Sequence, residues 1–554
     1  MKKIICCLLA CLGLLPAAAQ NSEHNAEVTR QLEIFNTLYR QLDQYYVDTL
    51  DASKQIENAI NYMLAQLDPY TVYYNEEKVD ELKQMTTGKY AGIGSLISYN
   101  KAADRCVISD PYEHMPAAEG GLRRGDIILS IDGKDIGVCG KRDRGEYSSE
   151  VSNALRGDPG TTLNIVVKRP YVADSLHFSI TRKNISLPSV VYTGMLADSV
   201  GYVLLNGYTE NTSRDVRHAF ESLKEKGARR LILDLRDNGG GLMLEAVNIV
   251  NLFIPKGLPV VSIKGKLPQM NATYKTRQEP WDTQIPLAIL TDFGTASAAE
   301  ITCGALQDYD RAIVLGRRTY GKGLVQQSRP LDYQTALKLT TSKYYIPSGR
   351  CIQAYEFSNG MPKFRPDSLS KEFHTAAGRP VRDGGGITPD VIIEADSLPS
   401  LLTALELSFP LFDYSVKYSN THKSIASPSQ FHISDQDYAD FRAFLKQEKF
   451  TYDSQSRNAL SLLRKIAERE GYGEVAKAEF DALEAKLVHN EEHDFKHWEK
   501  EIRQLVDMAI LRSNYYEKGA IEYFLPHDKD LQEALTILCD DARYRSILSS
   551  PKKK

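Results

Sequence analysis

Between residues 25 and 67 apolar side chains recur at three- and four-residue spacing: Leu32, Phe35, Leu38 and Leu42, then Ile56, Ile60 and Leu64. That spacing lines one face of a helix and predicts two amphipathic helices. Asp68-Pro69-Tyr70 ends the second, since the residue before a proline is pushed out of helical geometry. From residue 88 to 182 the pattern shortens. Residues 93–97, 106–108, 126–131 and 162–167 read as strands between glycine turns, with Asp132-Gly133 a strong turn signal. Residues 148–155 read as a short helix ahead of Arg156-Gly157. From residue 200 to 390 strands and helices alternate. Strands are expected at 203–205, 230–235, 287–291 and 312–315, and helices at 213–226, 242–253 and 298–307. Such alternation predicts an α/β domain. Beyond residue 400 the chain is charged, poor in glycine and helical in period, as at 459–469 and 495–511. It reads as a separate helical unit made for contacts, a homodimer or an adaptor, more than for chemistry; the rival reading is that its helices cover the α/β core and bury apolar surface there.

The chain has 554 residues, room for three or four domains of roughly 100–200 residues each. A formal charge of −4 gives no reason to expect nucleic acid or an anionic membrane as the main partner. The first residues have the form of a secretory signal. Met1-Lys2-Lys3 is basic, residues 4–15 are apolar, and Ala17-Ala18-Ala19 offers a cleavage site before Gln20. The expected location is therefore the periplasm. A rival reading takes Leu8-Leu9-Ala10 before Cys11 as a lipoprotein signal, which would hold the protein at the periplasmic face of a membrane. Five cysteines follow the signal: Cys106, Cys139, Cys303, Cys351 and Cys539. Their wide spacing implies neither a disulfide scaffold nor a zinc motif. Cys106 and Cys139 lie close enough in sequence to pair within one domain, but buried free thiols fit better. His489, His493 and His497 recur every four residues among Glu491, Glu492 and Lys496, which reads as a solvated helix face and not as a metal site.

Three segments carry chemistry. Thr295-Ala296-Ser297-Ala298-Ala299-Glu300 follows a predicted strand and opens a predicted helix. Small neighbours would let a carbonyl approach Ser297, and a helix N-terminus offers N–H groups to a developing oxyanion. A plain helix cap is the bland reading. The second segment is Thr319-Tyr320-Gly321-Lys322-Gly323-Leu324-Val325-Gln326-Gln327. A lysine among apolar neighbours loses its proton more easily than one in water, because burial penalises the charge. Lys322 could then serve as the base that a serine hydroxyl needs. Gln326, four residues on, would share its face in a strand or a helix and orient the amine. The bland reading is a surface lysine. Gly316 through Lys322 has the spacing of a phosphate-binding loop, but Gly323 stands where that loop needs a hydroxyl. The third segment, Asp234-Leu235-Arg236-Asp237-Asn238-Gly239-Gly240-Gly241, ends a buried strand. Its glycines let backbone N–H groups face a ligand closely.

Taken in order, these segments resemble the carboxyl-terminal processing, or tail-specific, serine proteases. Lys338 through Arg350 and Gly386-Ile387-Thr388-Pro389-Asp390 match the same family, as does Leu67-Asp68-Pro69-Tyr70-Thr71. The resemblance implies a multidomain α+β chain: signal peptide 1–19, N-terminal helical region 20–82, β-rich PDZ domain 83–183, α/β protease core of crotonase-like or ClpP-like form 184–400, and C-terminal helical domain 401–554. It implies Ser297 as nucleophile, Lys322 as base, Gln326 as its support, and Ala298 with Gly240 as oxyanion donors. Tyr90-Ala91-Gly92-Ile93-Gly94 resembles the PDZ carboxylate-binding loop, so Tyr90, Gly92, Ile93 and Gly94 would contact a substrate tail. Arg156 is a candidate for signalling between PDZ domain and protease. Substrates would be proteins or peptides with free C-termini. No cofactor or metal is implied, and membrane association is expected only through lipidation at Cys11. A non-catalytic PDZ scaffold or adaptor of the cell envelope is the alternative. An acyl-CoA enzyme of crotonase type would share the core, but coenzyme A is cytosolic and the signal points outward.

Overall fold

The computed structural model describes residues 15–395, 399–422, 424–453, 455–487 and 491–549. The basic start of the signal, most of its apolar run, Cys11 and His489 lie outside these residues. Among the described residues no helix is long and apolar enough to cross a membrane. The chain forms two compact units.

The first comprises Met1–Asn75 with Ser328–Leu339 and Phe357–Lys363. Helices Leu15–Tyr45 and Ala52–Ala65 realise the predicted spacing. Asp51 caps the second by accepting the Lys54 N–H. Beyond it the Asp68 carboxylate accepts the N–H groups of Tyr70 and Thr71, each at 2.8 Å. That turn leads into strand Val72–Tyr74, which pairs antiparallel with residues 336–338. Leu32, Phe35, Leu38 and Leu42 remain exposed along the first helix.

The second unit contains the rest. Its β-rich module is an antiparallel sheet in the order Ser95–Asn100, Arg105–Pro111, Ile127–Ile131, Thr162–Lys168, Ser175–Thr181. Cys106, Ile108, Ile128, Leu163 and Val167 fill its centre, with Tyr147 and Val151 from helix Arg144–Leu155. Cys106 and Cys139 are buried free thiols. The α/β core is a six-stranded sheet: Val190–Met195, Val200–Leu205, Arg230–Asp234, Leu287–Thr291, Ile313–Gly316, Val391–Ile392. The first pair is antiparallel and the others are parallel. Alternating side chains along each strand serve two different layers. Leu231, Leu233, Ile289 and Val314 meet helices Thr212–Glu225, Met243–Asn251 and Ala298–Asp308.

On the other face the C-terminal region plays two parts. Most of that region is a helical bundle around Leu405, Tyr414, Phe441, Val506 and Ile510. Its last helices, Lys529–Cys539 and Asp541–Leu548, instead lie on the core sheet. Leu531, Ala534, Ile537 and Leu538 cover Tyr202, Ile232, Ala288, Leu290, Ile313 and Leu315. The reason is physical: a parallel sheet is apolar on both faces and needs a layer on each. The last two helices thus complete the core, while the bundle before them has its own apolar centre. The same region also holds the β-rich module, where Asn100 donates to Asp413 at 3.1 Å and Gly125 fits against Val416.

Candidate active site

Strand Leu287–Thr291 ends in a turn, and helix Ala298–Asp308 begins immediately after Ser297. The turn is laced to both of the other chemically marked segments. Thr295 Oγ1 donates to the Leu235 carbonyl at 2.7 Å, and the Ala296 N–H to the Asn238 carbonyl at 2.9 Å. On the opposite side the Tyr320 N–H donates to the Thr295 carbonyl at 3.0 Å.

Ser297 has φ 56° and ψ −115°, a conformation that residues with a Cβ rarely adopt and that needs its surroundings to hold it. Its N–H donates to Glu300 Oε2 at 2.8 Å, and its carbonyl accepts the Tyr344 hydroxyl at 3.2 Å. Glu300 does more than restrain the serine. Oε2 also accepts the Lys322 N–H at 2.9 Å, while Oε1 accepts Thr319 Oγ1 at 2.5 Å and the Gly321 N–H at 2.8 Å. One carboxylate thus uses its acceptor capacity on the serine backbone and three donors of the lysine loop. Glu300 is fully buried. Burial pushes its pKa up to about 7, against the pull of those four donors. The sequence reading did not single out Glu300. Its signal was the Ser-x-x-Glu spacing from Ser297, the capping-box pattern in which the glutamate reaches back to the cap N–H.

Lys322 is half-buried in a loop. Gly321 has φ 85°, and a Cβ there would stand 2.4 Å from the Ala354 Cβ. The Gly323 N–H donates to Gln353 Oε1 at 2.6 Å, and the Gly323 carbonyl accepts the Tyr344 N–H at 3.0 Å. Strand Leu324–Pro330 begins only after this loop. Lys322 therefore precedes the strand that carries Gln326, and the two do not share a regular element as the spacing suggested. Gln326 Nε2 donates to Thr340 Oγ1 at 3.1 Å, which leaves the amide oxygen as its acceptor.

Gly240 lies against the Ser297 turn. A Cβ on it would stand 2.7 Å from the Ala298 nitrogen and 2.8 Å from the Ser297 Cβ. Ala298 is the first residue of its helix, so its N–H has no partner within the helix. The Gly240 N–H donates to Asn238 Oδ1 at 2.9 Å; that bond must open before Gly240 can serve an oxyanion. Beside the site four rings run in a row. Centroids are 5.4 Å apart for Phe293 and Tyr320, 5.7 Å for Tyr320 and Tyr355, and 5.8 Å for Tyr355 and Phe364.

In the β-rich module Tyr90 and Gly92 belong to strand Lys89–Gly92, which pairs with Lys183–Ser186. The Ile93 side chain is part of the module's core, so a contact of Ile93 with a tail would fall to its backbone. Gly94 has φ 72°, and a Cβ there would stand 2.5 Å from the Met115 Cβ. The next strand, Ser95–Asn100, is the edge of its sheet, with helix Arg144–Leu155 packed beside it. The Arg156 guanidinium lies 5.5 Å from the Tyr90 ring centroid. Burial raises the Tyr90 phenol pKa, and the Arg156 charge works against it. An open strand edge entered through a glycine turn suits a peptide that adds a strand.

An α/β core with a serine at a strand-to-helix turn, tied through a buried carboxylate to a glycine-flanked lysine, is the frame of a serine peptidase. Comparisons with known proteins agree. Peptidase family S41 matches residues 199–362, a PDZ domain 107–169, the "Activating protease CtpB N-terminal domain" 15–78, and the "Probable PDZ-protease, C-terminal helical domain" 401–538. A carboxy-terminal-processing protease of Bartonella bacilliformis is 32% identical over 378 residues, 68% of this chain and 77% of that protein. The carboxy-terminal processing protease CtpA of Bacillus subtilis is 31% identical over 320 residues, 57% of this chain and 66% of that one. Among solved structures, a photosystem II D1 C-terminal processing protease is 27% identical, covering 66% of this chain and 88% of its own, with a TM-score of 0.36. The chain belongs to peptidase family S41, the carboxy-terminal processing serine proteases that carry a PDZ domain.

Proposed function

We propose that this protein is an exported serine endopeptidase that selects its substrates by their C-terminal tails and cleaves through a Ser297/Lys322 pair. Lys322, neutral, takes the Ser297 hydroxyl proton as the oxygen attacks a peptide carbonyl. The Ala298 and Gly240 N–H groups receive the oxyanion. The lysine then returns that proton to the departing amine, leaving an acyl-serine ester. Water, deprotonated by the same lysine, attacks the ester and frees Ser297. The Gln326 amide oxygen steadies the lysine. The row from Phe293 to Phe364 offers an apolar wall to the chain being cut. The PDZ domain takes a free C-terminus on strand Ser95–Asn100, and Arg156 links that event to the protease. Export rests on the signal-like residues 1–19, and the proposed steps call for no cofactor.

The observation that carries this reading is the oxygen shared by two backbones: Glu300 Oε2 accepts the N–H of Ser297 and the N–H of Lys322. The test is labelling of the purified full chain with a serine-reactive fluorophosphonate, followed by peptide mapping. Label is expected on Ser297, with hydrolysis lost from Ser297→Ala by a factor on the order of 10⁶. A folded wild type that binds tails yet neither hydrolyses peptides nor takes the probe would instead be a scaffold.

A further inference from the structure

The turn before the final helices carries a buried charge cluster that reaches both active-site loops. Asp528 caps helix Lys529–Cys539, accepting the N–H groups of Asp530 and Leu531 on Oδ1 at 3.0 and 3.2 Å. The same carboxylate meets the Arg236 guanidinium, with Oδ1 at 3.1 Å from Nη1. Asp530 Oδ2 accepts from Arg236 Nη1 at 3.2 Å and from Arg317 Nη1 at 2.7 Å. On its other side Arg236 is bound by Asp234, Nε to Oδ1 at 3.0 Å and Nη2 to Oδ2 at 2.6 Å. The Tyr202 hydroxyl donates to Asp234 at 2.8 Å. Asp234, Asp528 and Asp530 are all buried.

The two arginines stand in the turns that matter. Arg236 follows strand Arg230–Asp234 and precedes the Gly239–Gly241 run, whose Asn238 carbonyl holds Ala296. Arg317 follows strand Ile313–Gly316 and leads into the Thr319–Lys322 loop. Apolar contacts also join helix Lys529–Cys539 to the sheet. Burying carboxylates and guanidinium groups adds a desolvation cost that docking does not require. A paired, multiply hydrogen-bonded cluster does give direction, because each arginine fork fits its carboxylates in few orientations.

We propose that Asp528 and Asp530 are positioning residues of the peptidase site: through Arg236 and Arg317 they set the glycine turn and the lysine loop relative to one another. The inference rests on the proposed peptidase activity. It gives the C-terminal region a part in turnover besides contacts.

Asp528→Asn and Asp530→Asn test it in the full chain. Asparagine keeps the helix cap while removing the charge, so fold and brace are separated. Arg317→Gln, at a more exposed arginine whose guanidinium pairs with Asp530, is a third variant for the case that either aspartate variant fails to fold. Each is measured for kcat and KM on a peptide, for the rate of fluorophosphonate labelling of Ser297, for thermal midpoint, and for binding of a tail peptide. The expected result is a fall in kcat and labelling rate of roughly 10- to 100-fold, as small misplacements of reacting groups give, with KM and tail binding near wild type. Folded variants with wild-type kcat and labelling would overturn the brace while leaving the peptidase reading intact. A wild type that neither cleaves nor labels would overturn both.

Discussion

Lys322 donates its backbone N–H at 2.9 Å to Glu300, a carboxylate with no exposed surface. The lysine loop is thereby fixed to the first turn of the helix that follows Ser297, and the Ser297 N–H ends on the same oxygen. Neither link involves a side chain that would react, so the alignment of the pair can be tested without touching the pair.

Glu300→Gln should leave the chain folded and the site misaligned. Glutamine offers one acceptor oxygen and an NH₂ group, so donors now served by the second oxygen would face a donor. Each unmet buried N–H costs about 1–3 kcal/mol. The expected outcome is a kcat lower by about 10- to 100-fold with KM little changed. Steady-state kinetics beside circular dichroism checks it, and wild-type turnover would remove Glu300 from the account.

Titration of Glu300 should move activity and stability in opposite directions. Its folded pKa of about 7 lies above the ordinary 4.5. The folded state therefore holds the proton more tightly than the unfolded one. That stabilising contribution is complete below 4.5 and is lost as pH rises through 7, an effect on the order of 3 kcal/mol. Protonation, however, turns one oxygen from acceptor to donor and releases an N–H of the site, so kcat should fall as pH drops through 7. Denaturant unfolding at pH 5 and pH 8 isolates the glutamate, because Glu300→Gln should lack its share of the pH dependence. Identical pH slopes in both proteins would assign the titration elsewhere.

Gly240 and Gly257 form a matched pair. Both have left-handed backbones, with φ 91° and 92°. An added Cβ at Gly257 meets nothing within 4 Å, whereas at Gly240 it would stand 2.6 Å from the Ala296 carbonyl oxygen and 2.7 Å from the Ala298 nitrogen. Alanine at either position costs roughly 1–2 kcal/mol of backbone strain. Only Gly240→Ala should also abolish hydrolysis. Comparable activity in the two variants would show that the close approach at Gly240 has no catalytic consequence.

Tail recognition should require a free carboxylate. The Gly94 turn opens onto the edge strand Ser95–Asn100, the arrangement that takes a peptide terminus by strand addition. Fluorescence anisotropy should show a free-acid peptide binding tighter than its C-terminal amide, and Gly94→Ala, pressed against Met115, should weaken the acid form selectively. Equal affinities for acid and amide would contradict the assignment.

The sequence made the central sheet legible because its strands are continuous apolar runs, and strands at 230–234, 287–291 and 313–316 lie where those runs lie. The place of Ser297 in the fold was legible for a local reason, small residues between a strand and a helix. Glu300 was not, because its partners Thr319, Gly321 and Lys322 are distant in sequence and reach it only through the fold. The final helices show a similar limit. Leu531, Ala534 and Leu538 mark an apolar face, but an apolar face does not name the surface it will cover. The same holds for Leu32 and Phe35, whose spacing predicted the helix but not their exposure.

The sheet's second covering layer has a consequence for biosynthesis. The strands that need Leu531 and Leu538 are translated well before those residues exist. Until the ribosome has passed residue 538, the nascent chain holds Ile232, Leu290 and Leu315 without the helix that shelters them. The sheet's second layer is thus supplied long after the strands it covers, and the core cannot close around them before it.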